Sequence, residues 1–245
     1  MQYGAFAEYY DIMMHDVDYD GWADYISSLI EQYGGGKRLL DCACGSGSLT
    51  IRLCERGYEL TGSDLSPEML FEAQKKAKSR GLNIPFVRQD LKNISLHRPV
   101  DVINCSCDGV NYLLSLDEVA AFFKSAWRNL KEGGLLLFDC STEYKLAEVL
   151  GNRFIGEDKK DYAYLWTNSY DARSRLILME LSFFVKEGEL YRRFREKHLQ
   201  RAHRREEIEE LLIQCGFEHT ASFEAFTREE PQKNGQRIQY VARRR

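Results

Sequence analysis

Five short runs rich in apolar and β-branched residues recur along the first 140 positions: "KRLLDCA" (37–43), "YELTGSD" (58–64), "IPFVRQD" (84–90), "PVDVINCSC" (99–107) and "GLLLFDC" (134–140). Helix-patterned stretches at 46–56, 67–80 and 117–131 separate most of them, and the link at 91–98 is shorter. This alternation constrains the chain more than any other feature. Strands joined through helices run parallel, and helices must then cover both faces of the sheet. The expectation is a doubly wound α/β core. Local signals set its boundaries: Ser66-Pro67-Glu68 reads as an N-cap followed by a first-turn proline, and Gly81 and Gly133 read as stops after their helices. Residues 5–33 read as helical, with "YGGG" (33–36) as the break.

Beyond the fifth strand the pattern changes. "YAYLWTNSYD" (162–171), "RLILMELSFFV" (175–185) and "ELYRRFREKHLQ" (189–200) read as antiparallel strands, with Glu187-Gly188 turning the last two. "RREEIEELLIQCGF" reads as an amphipathic helix with Ile208, Leu211 and Leu212 on one face and Gly216 as its stop, and two strands near 219–226 and 236–242 close the chain. With 245 residues, one core is expected over 1–245, with a helical cap at 1–36, a ligand-binding core at 37–142, an inserted antiparallel lid at 143–200 and a completing segment at 201–245. No run of roughly 18 apolar residues occurs, and the acidic, aromatic start differs from a secretory signal, so no membrane association and a cytoplasmic location are expected.

A net charge of -4 gives no global attraction to nucleic acid. The basic run Arg192, Arg193, Arg195, Lys197, Arg201, Arg204 and Arg205 is followed by Glu206, Glu207, Glu209 and Glu210, which answer its charge and would repel phosphate. Nucleic acid therefore stays the lesser alternative to a small-molecule partner, and nothing in the sequence fixes the oligomeric state. Seven cysteines, an odd count, favour free thiols, and the pairs Cys42/Cys44 and Cys105/Cys107 lack the C-x-x-C zinc spacing, so no metal is expected.

The chemistry begins at "LLDCACGSGSLT" (39–50), a glycine-rich turn leaving the first strand, with Asp64 about 20 residues later at the end of the second. Such a turn lets a ligand approach bare backbone, and the acid suits ribose hydroxyls. Gly45, Gly47 and Thr50 break the G-x-G-x-x-G triplet of nicotinamide sites, and the Gly-Lys-Ser/Thr of a P-loop is missing. A ligand with adenosine and an amino acid in place of phosphates remains.

With these residues in place, the sequence resembles the class I S-adenosylmethionine-dependent methyltransferases over nearly its whole length. The matching segments are Asp41 to Gly47, "GSDLSPEML" (62–70), "VRQDLKNI" (87–94) and "KEGGLLLFD" (131–139). A narrower resemblance to the YqeM-like methyltransferases lies in "YGAFAEYYDIMMHDVDYDGWADYI", "CDGVNYLLS" and "EKHLQRAHRREEIEELLIQCGF". The resemblance implies a Rossmann-like, mainly parallel seven-stranded sheet and S-adenosyl-L-methionine as cofactor. It also implies roles. Asp64 would take the ribose diol, Leu65 and Met69 the adenine face, and Asp90 and Leu91 the adenine edge. Asp41, Ala43, Gly45, Gly47 and Cys105 would surround the methionine portion, and Tyr3, Phe6 and Tyr10 would fold over the cofactor. Ala43 stands where many members carry glycine. Methyl transfer is an in-line displacement that needs mainly alignment, and Asp108, Tyr112 and His198 are the candidates to take an acceptor's proton. The acceptor is expected to be a small molecule methylated at oxygen or nitrogen. RNA or protein methylation is the enzymatic alternative, and a non-catalytic cofactor-binding module is the alternative of another class.

Overall fold

The computed structural model describes Ala7 and residues 9–245, so Tyr3 and Phe6 lie outside the described residues. Two helices, α1 (Tyr10–Met13) and α2 (Tyr19–Gln32), precede β1 (Arg38–Cys42). Then α3 (Ser48–Glu55), β2 (Glu59–Asp64), α4 (Pro67–Ser79), β3 (Phe86–Arg88), β4 (Val100–Cys105), α5 (Leu116–Asn129) and β5 (Leu130–Ser141) follow. After these come β6 (Phe154–Asp158), β7 (Tyr162–Asp171), β8 (Leu176–Glu187), β9 (Leu190–Arg201), α6 (Arg205–Gln214), β10 (Phe217–Glu224) and β11 (Arg237–Arg244).

One sheet has seven strands in the order β3-β2-β1-β4-β5-β11-β10. Strands β1 to β5 are mutually parallel, and β11 runs antiparallel to both neighbours. Alternate residues feed opposite cores, as a pleated strand buried on both faces requires. Leu40, Ile103, Leu136 and Phe138 pack with Phe122, Phe123 and Ile208 from α5 and α6, while Leu39, Val102, Leu135 and Leu137 pack with Ile26, Leu29 and Leu53 from α2 and α3. The expected Rossmann-like architecture is therefore present, and the residues from β6 to β9 form a separate four-stranded antiparallel sheet in sequence order.

Several local expectations need correction. The N-terminal helix is interrupted: Asp18 accepts a hydrogen bond from Gly21 N at 2.8 Å and caps a new helix there. Helix α5 stops at Asn129 and β5 starts at the next residue, so Gly133 lies inside a strand with φ 72 and does not stop the helix. Strand β6 has no counterpart in the sequence reading. Gly81 does stop α4, in a left-handed conformation with Leu82 N donating to Ala77 O at 3.0 Å.

Candidate functional site

The carboxyl ends of β1, β2 and β4 open onto a cavity of about 300 Å³ lined by the glycine turn, Asp64, Leu65, Met69, Asp90, Leu91, Cys107 and Tyr112 among others. Gly45 and Gly47 have φ of 54 and 75, a region that costs other residues free energy. A Cβ built on Gly47 would sit 2.9 Å from Ala73 Cβ, so this glycine seats α4 against the turn. A Cβ on Gly45 would meet nothing within 4 Å, and Gly45 lines the cavity, so that space faces the crevice. Ala43 keeps a glycine-like φ of 51 despite its side chain. Room for its methyl comes from Gly109, where an added Cβ would lie 3.1 Å from Ala43 Cβ.

Asp64 fastens the turn to the next helix. Its Oδ2 accepts from Gly45 N and its Oδ1 from Ser66 N, both at 2.9 Å. Burial raises its carboxyl above the usual range, and the backbone donors oppose that rise. Asp41 stands opposite Asn104 in the β1–β4 register and is 2% exposed. It accepts from Thr50 Oγ1 at 2.5 Å and from Asn104 Nδ2 at 2.8 Å, while Ser106 Oγ donates to Asn104 Oδ1 at 2.9 Å. Burial pushes the Asp41 carboxyl up to about 6, against the pull of these two donors. At the other end, Asp90 accepts from Lys92 N at 2.9 Å and holds the single turn Leu91–Asn93.

Helix α1 is latched to this turn by polar groups. Ser46 Oγ donates to Asp11 Oδ1 at 2.7 Å, Lys76 Nζ donates to Ser48 Oγ at 2.8 Å, and Lys76 and Asp11 form an ion pair. The latch brings in Tyr10, which lines the first cavity and also a second one of about 510 Å³. The two cavities share Tyr10, Cys107 and Tyr112.

The second cavity lies between the seven-stranded sheet and the inner face of the four-stranded one. Its apolar walls include Trp22, Leu146, Trp166, Met179 and Phe226. Its floor carries an ion cluster. Arg237 pairs with Asp108, N to O 2.7 Å, and also with the fully buried Asp139, while Lys145 donates to Ser141 Oγ at 3.0 Å and stands 3.8 Å from Asp108. Burial alone would raise the Asp108 carboxyl; the charges of Arg237 and Lys145 and the Ser141 hydroxyl overcome it and hold the group down to about 2. Asp108 is thus held as an anion among the cations of the cavity floor. His198 is 8% exposed, with Nδ1 3.2 Å from Tyr112 Oη. Burial pushes its imidazole down to about 4, so the ring is neutral at pH 7.

Of the residues singled out from sequence, Tyr10, Asp41, Ala43, Gly45, Asp64, Leu65, Met69, Asp90, Leu91 and Tyr112 line the first cavity. Tyr10, Asp108, Tyr112 and His198 line the second. Gly47 stands behind the turn as a packing residue. Cys105 is a correction: it ends β4 with its side chain fully buried in the α5 core, and Cys107, in the turn that leaves the strand with φ 61, reaches both cavities instead. Sequence reading missed Cys107, Lys145, Gln200 and Arg237. Among the described residues no group of three metal-ligating side chains occurs, and no helix is long and apolar enough to cross a membrane.

A glycine turn at the end of β1, an acid at the end of β2 and a seven-stranded sheet with one antiparallel strand define an S-adenosylmethionine-dependent methyltransferase. Comparisons agree: a family model described as "Methyltransferase domain" matches residues 39–134. The chain is 38% identical over 245 residues to "Putative methyltransferase YqeM" of Bacillus subtilis (strain 168), covering 100% of this chain and 98% of that one. The crystal structure of an S-adenosylmethionine-dependent methyltransferase from Clostridium acetobutylicum ATCC 824 matches with a TM-score of 0.90 and 36% identity, over 99% of this chain and 98% of the other. The structure of CalS10, described as an amino pentose methyltransferase from Micromonospora echinaspora, shares the fold with a TM-score of 0.77 at 20% identity, over 100% and 98% of the two chains. The chain belongs to the YqeM-like family of S-adenosylmethionine-dependent methyltransferases.

Proposed function

We propose that this enzyme methylates a small molecule held in the second cavity, with S-adenosylmethionine in the first. The observation that carries this reading is the adjacency of the two cavities, which share Tyr10, Cys107 and Tyr112 as a common wall. The second cavity's volume lies in the range of small-molecule sites. The basic run gives a nucleic acid little to hold, since Arg192 pairs with Glu187, Lys197 with Glu180, and Arg205 with Glu209 and Glu230.

The donor set of the first cavity fits the cofactor. Asp64 would accept from the ribose diol while Gly45 N and Ser66 N fix its orientation, a use suited to an ionised carboxylate. Asp41 would hold the ammonium, its charge supported by Thr50 and Asn104. Gly45 leaves room for the methionine portion. Leu65, Met69 and Leu91 would pack on adenine with Asp90 at its edge. The cofactor supplies an electrophilic methyl group, so the protein's share is alignment and exclusion of water. Tyr10 and Tyr112 present aromatic faces where a sulfonium is favoured. When the acceptor loses a proton, His198 and Tyr112, 3.2 Å apart in the wall of the second cavity, are the groups placed to receive it.

The test is transfer of label from methyl-tritiated S-adenosylmethionine into cell extract separated into low-mass, RNA and protein fractions. Label in the low-mass fraction is expected; label confined to RNA or protein would overturn the small-molecule reading.

A further inference from the structure

The charged floor of the second cavity is closed on itself: the cations Arg237 and Lys145 face the anions Asp108 and Asp139. No charge there is left to call for a counter-charge from a ligand. The roof is different. Gln200 is 5% exposed and lines the cavity from the inner face of β9. Trp166 lines the same cavity, and its buried indole Nε1 has no hydrogen-bond partner among the described residues. Folded chains satisfy nearly all buried polar groups, so an unbonded indole N–H in the wall of a cavity that also presents an amide points to partners supplied by its occupant.

Their placement follows from the sheet. Gln200 pairs in register with Ile177 and lies two residues beyond His198 on β9, so amide and imidazole share the inner face, about 7 Å apart along the strand. Trp166 reaches the cavity from β7, two strands away. An amide both donates and accepts, and an indole N–H donates. A hydroxyl or carboxamide satisfies both groups. A carboxylate or phosphate would bring a negative charge near Asp108, whereas an ammonium would crowd the two floor cations.

We propose that Gln200, together with Trp166 Nε1 on the same sheet face, is the specificity-determining group for the methyl acceptor, and that the acceptor presents neutral hydroxyl or carboxamide groups to the roof. This rests on the small-molecule reading above. The test offers the full-length enzyme methyl-tritiated S-adenosylmethionine with four acceptor sets: neutral polyols and sugars, neutral carboxamides, carboxylates, and phosphate monoesters. The first two sets are expected to take label. Gln200→Met is expected to raise the acceptor KM about tenfold or more, leave cofactor affinity unchanged, and leave the thermal midpoint equal or higher, because a cavity-facing amide gives way to an apolar chain of similar length. Gln200→Glu, which restores a polar group but adds charge, should not rescue KM.

Label confined to the charged sets, an unmoved KM in Gln200→Met, or a fall in its thermal midpoint would overturn the role of Gln200 while leaving a small acceptor in place. Label in none of the four sets, with RNA or protein labelled instead, would overturn both readings.

Discussion

Two acids carry the cofactor end of the site, and each gives a separate expectation. Asp64→Ala removes the acceptor for the ribose diol and also leaves Gly45 N and Ser66 N without their carboxylate. Hydrogen bonds to a charged group are each worth about 1.5–3 kcal/mol, so cofactor affinity should fall by about 100-fold or more. Calorimetric titration of the folded variant checks this, and an unchanged affinity would remove Asp64 from the ribose. Asp41 gives a pH dependence. Its carboxyl sits at about 6 in the structure because burial disfavours its charge. An ammonium beside it favours the ionised form and lowers that value, so cofactor binding should weaken as pH falls below about 6, by up to tenfold per unit. The same raised value makes Asp41's own contribution to folding greater at low pH, the opposite direction to binding. Asp41→Asn should flatten the binding profile between pH 5 and 7; a profile that keeps its slope in this variant would assign the titration to another group.

Among the α-helices, α1 is the shortest and depends on partners outside itself. Four residues are too few for a stable isolated helix. The Asp11, Lys76, Ser46 and Ser48 cluster latches it to the glycine turn, and it carries Tyr10 between the cavities. Lys76→Met should therefore speed cofactor dissociation by roughly twofold to fivefold, the effect of losing one partly exposed ion pair. Stopped-flow release measures it, and an unaltered rate would separate α1 from cofactor retention. Legibility also differed by element. Strands β1, β4 and β5 were readable because both faces are largely buried and the runs are mostly apolar, and β2 and β3 because of their place in the strand–helix alternation. The break before α2 was hidden because Asp18 caps through a local turn inside an otherwise helical pattern. Strand β6, "FIGED", was unreadable because it is a half-exposed edge held only by β7. In the site, the contiguous turn and Asp64 were legible, whereas Cys105 and Cys107 share the same strand parity and only the turn after β4 tells them apart. Lys145, Gln200 and Arg237 meet only because the inserted sheet and β11 return to the same strand ends, and no sequence spacing records that return.

At the scale of the whole molecule, Arg237 joins parts of the chain that are remote in sequence. It extends from β11 to Asp139 on β5 and to Asp108 in the turn after β4, and its guanidinium stands over the Trp22 ring of α2 at 5.4 Å. Asp139 also accepts from Cys107 N at 2.7 Å, so the junction between the cavities rests on the same cluster. Burial already raises the Asp139 carboxyl, Arg237 opposes the rise and Asp108 adds to it. Arg237→Met would leave two close carboxylates with only Lys145 as a counter-charge. Removing one partner of a buried pair costs roughly 3–5 kcal/mol, because the remaining charge stays desolvated. The sign of the pH effect follows from the direction of the shift. A carboxyl whose folded value lies above its unfolded value contributes stability below the unfolded value and loses it as pH rises through the folded one. The variant should therefore be closest to the parent in thermal midpoint near pH 5 and furthest near pH 8. Asp139→Asn added to Arg237→Met should narrow the gap at pH 8 and change it little at pH 5. Thermal unfolding of the parent and the two variants across that range measures both effects, and a gap that is the same at every pH would mean that Arg237 acts through packing on Trp22 rather than by neutralising the acids.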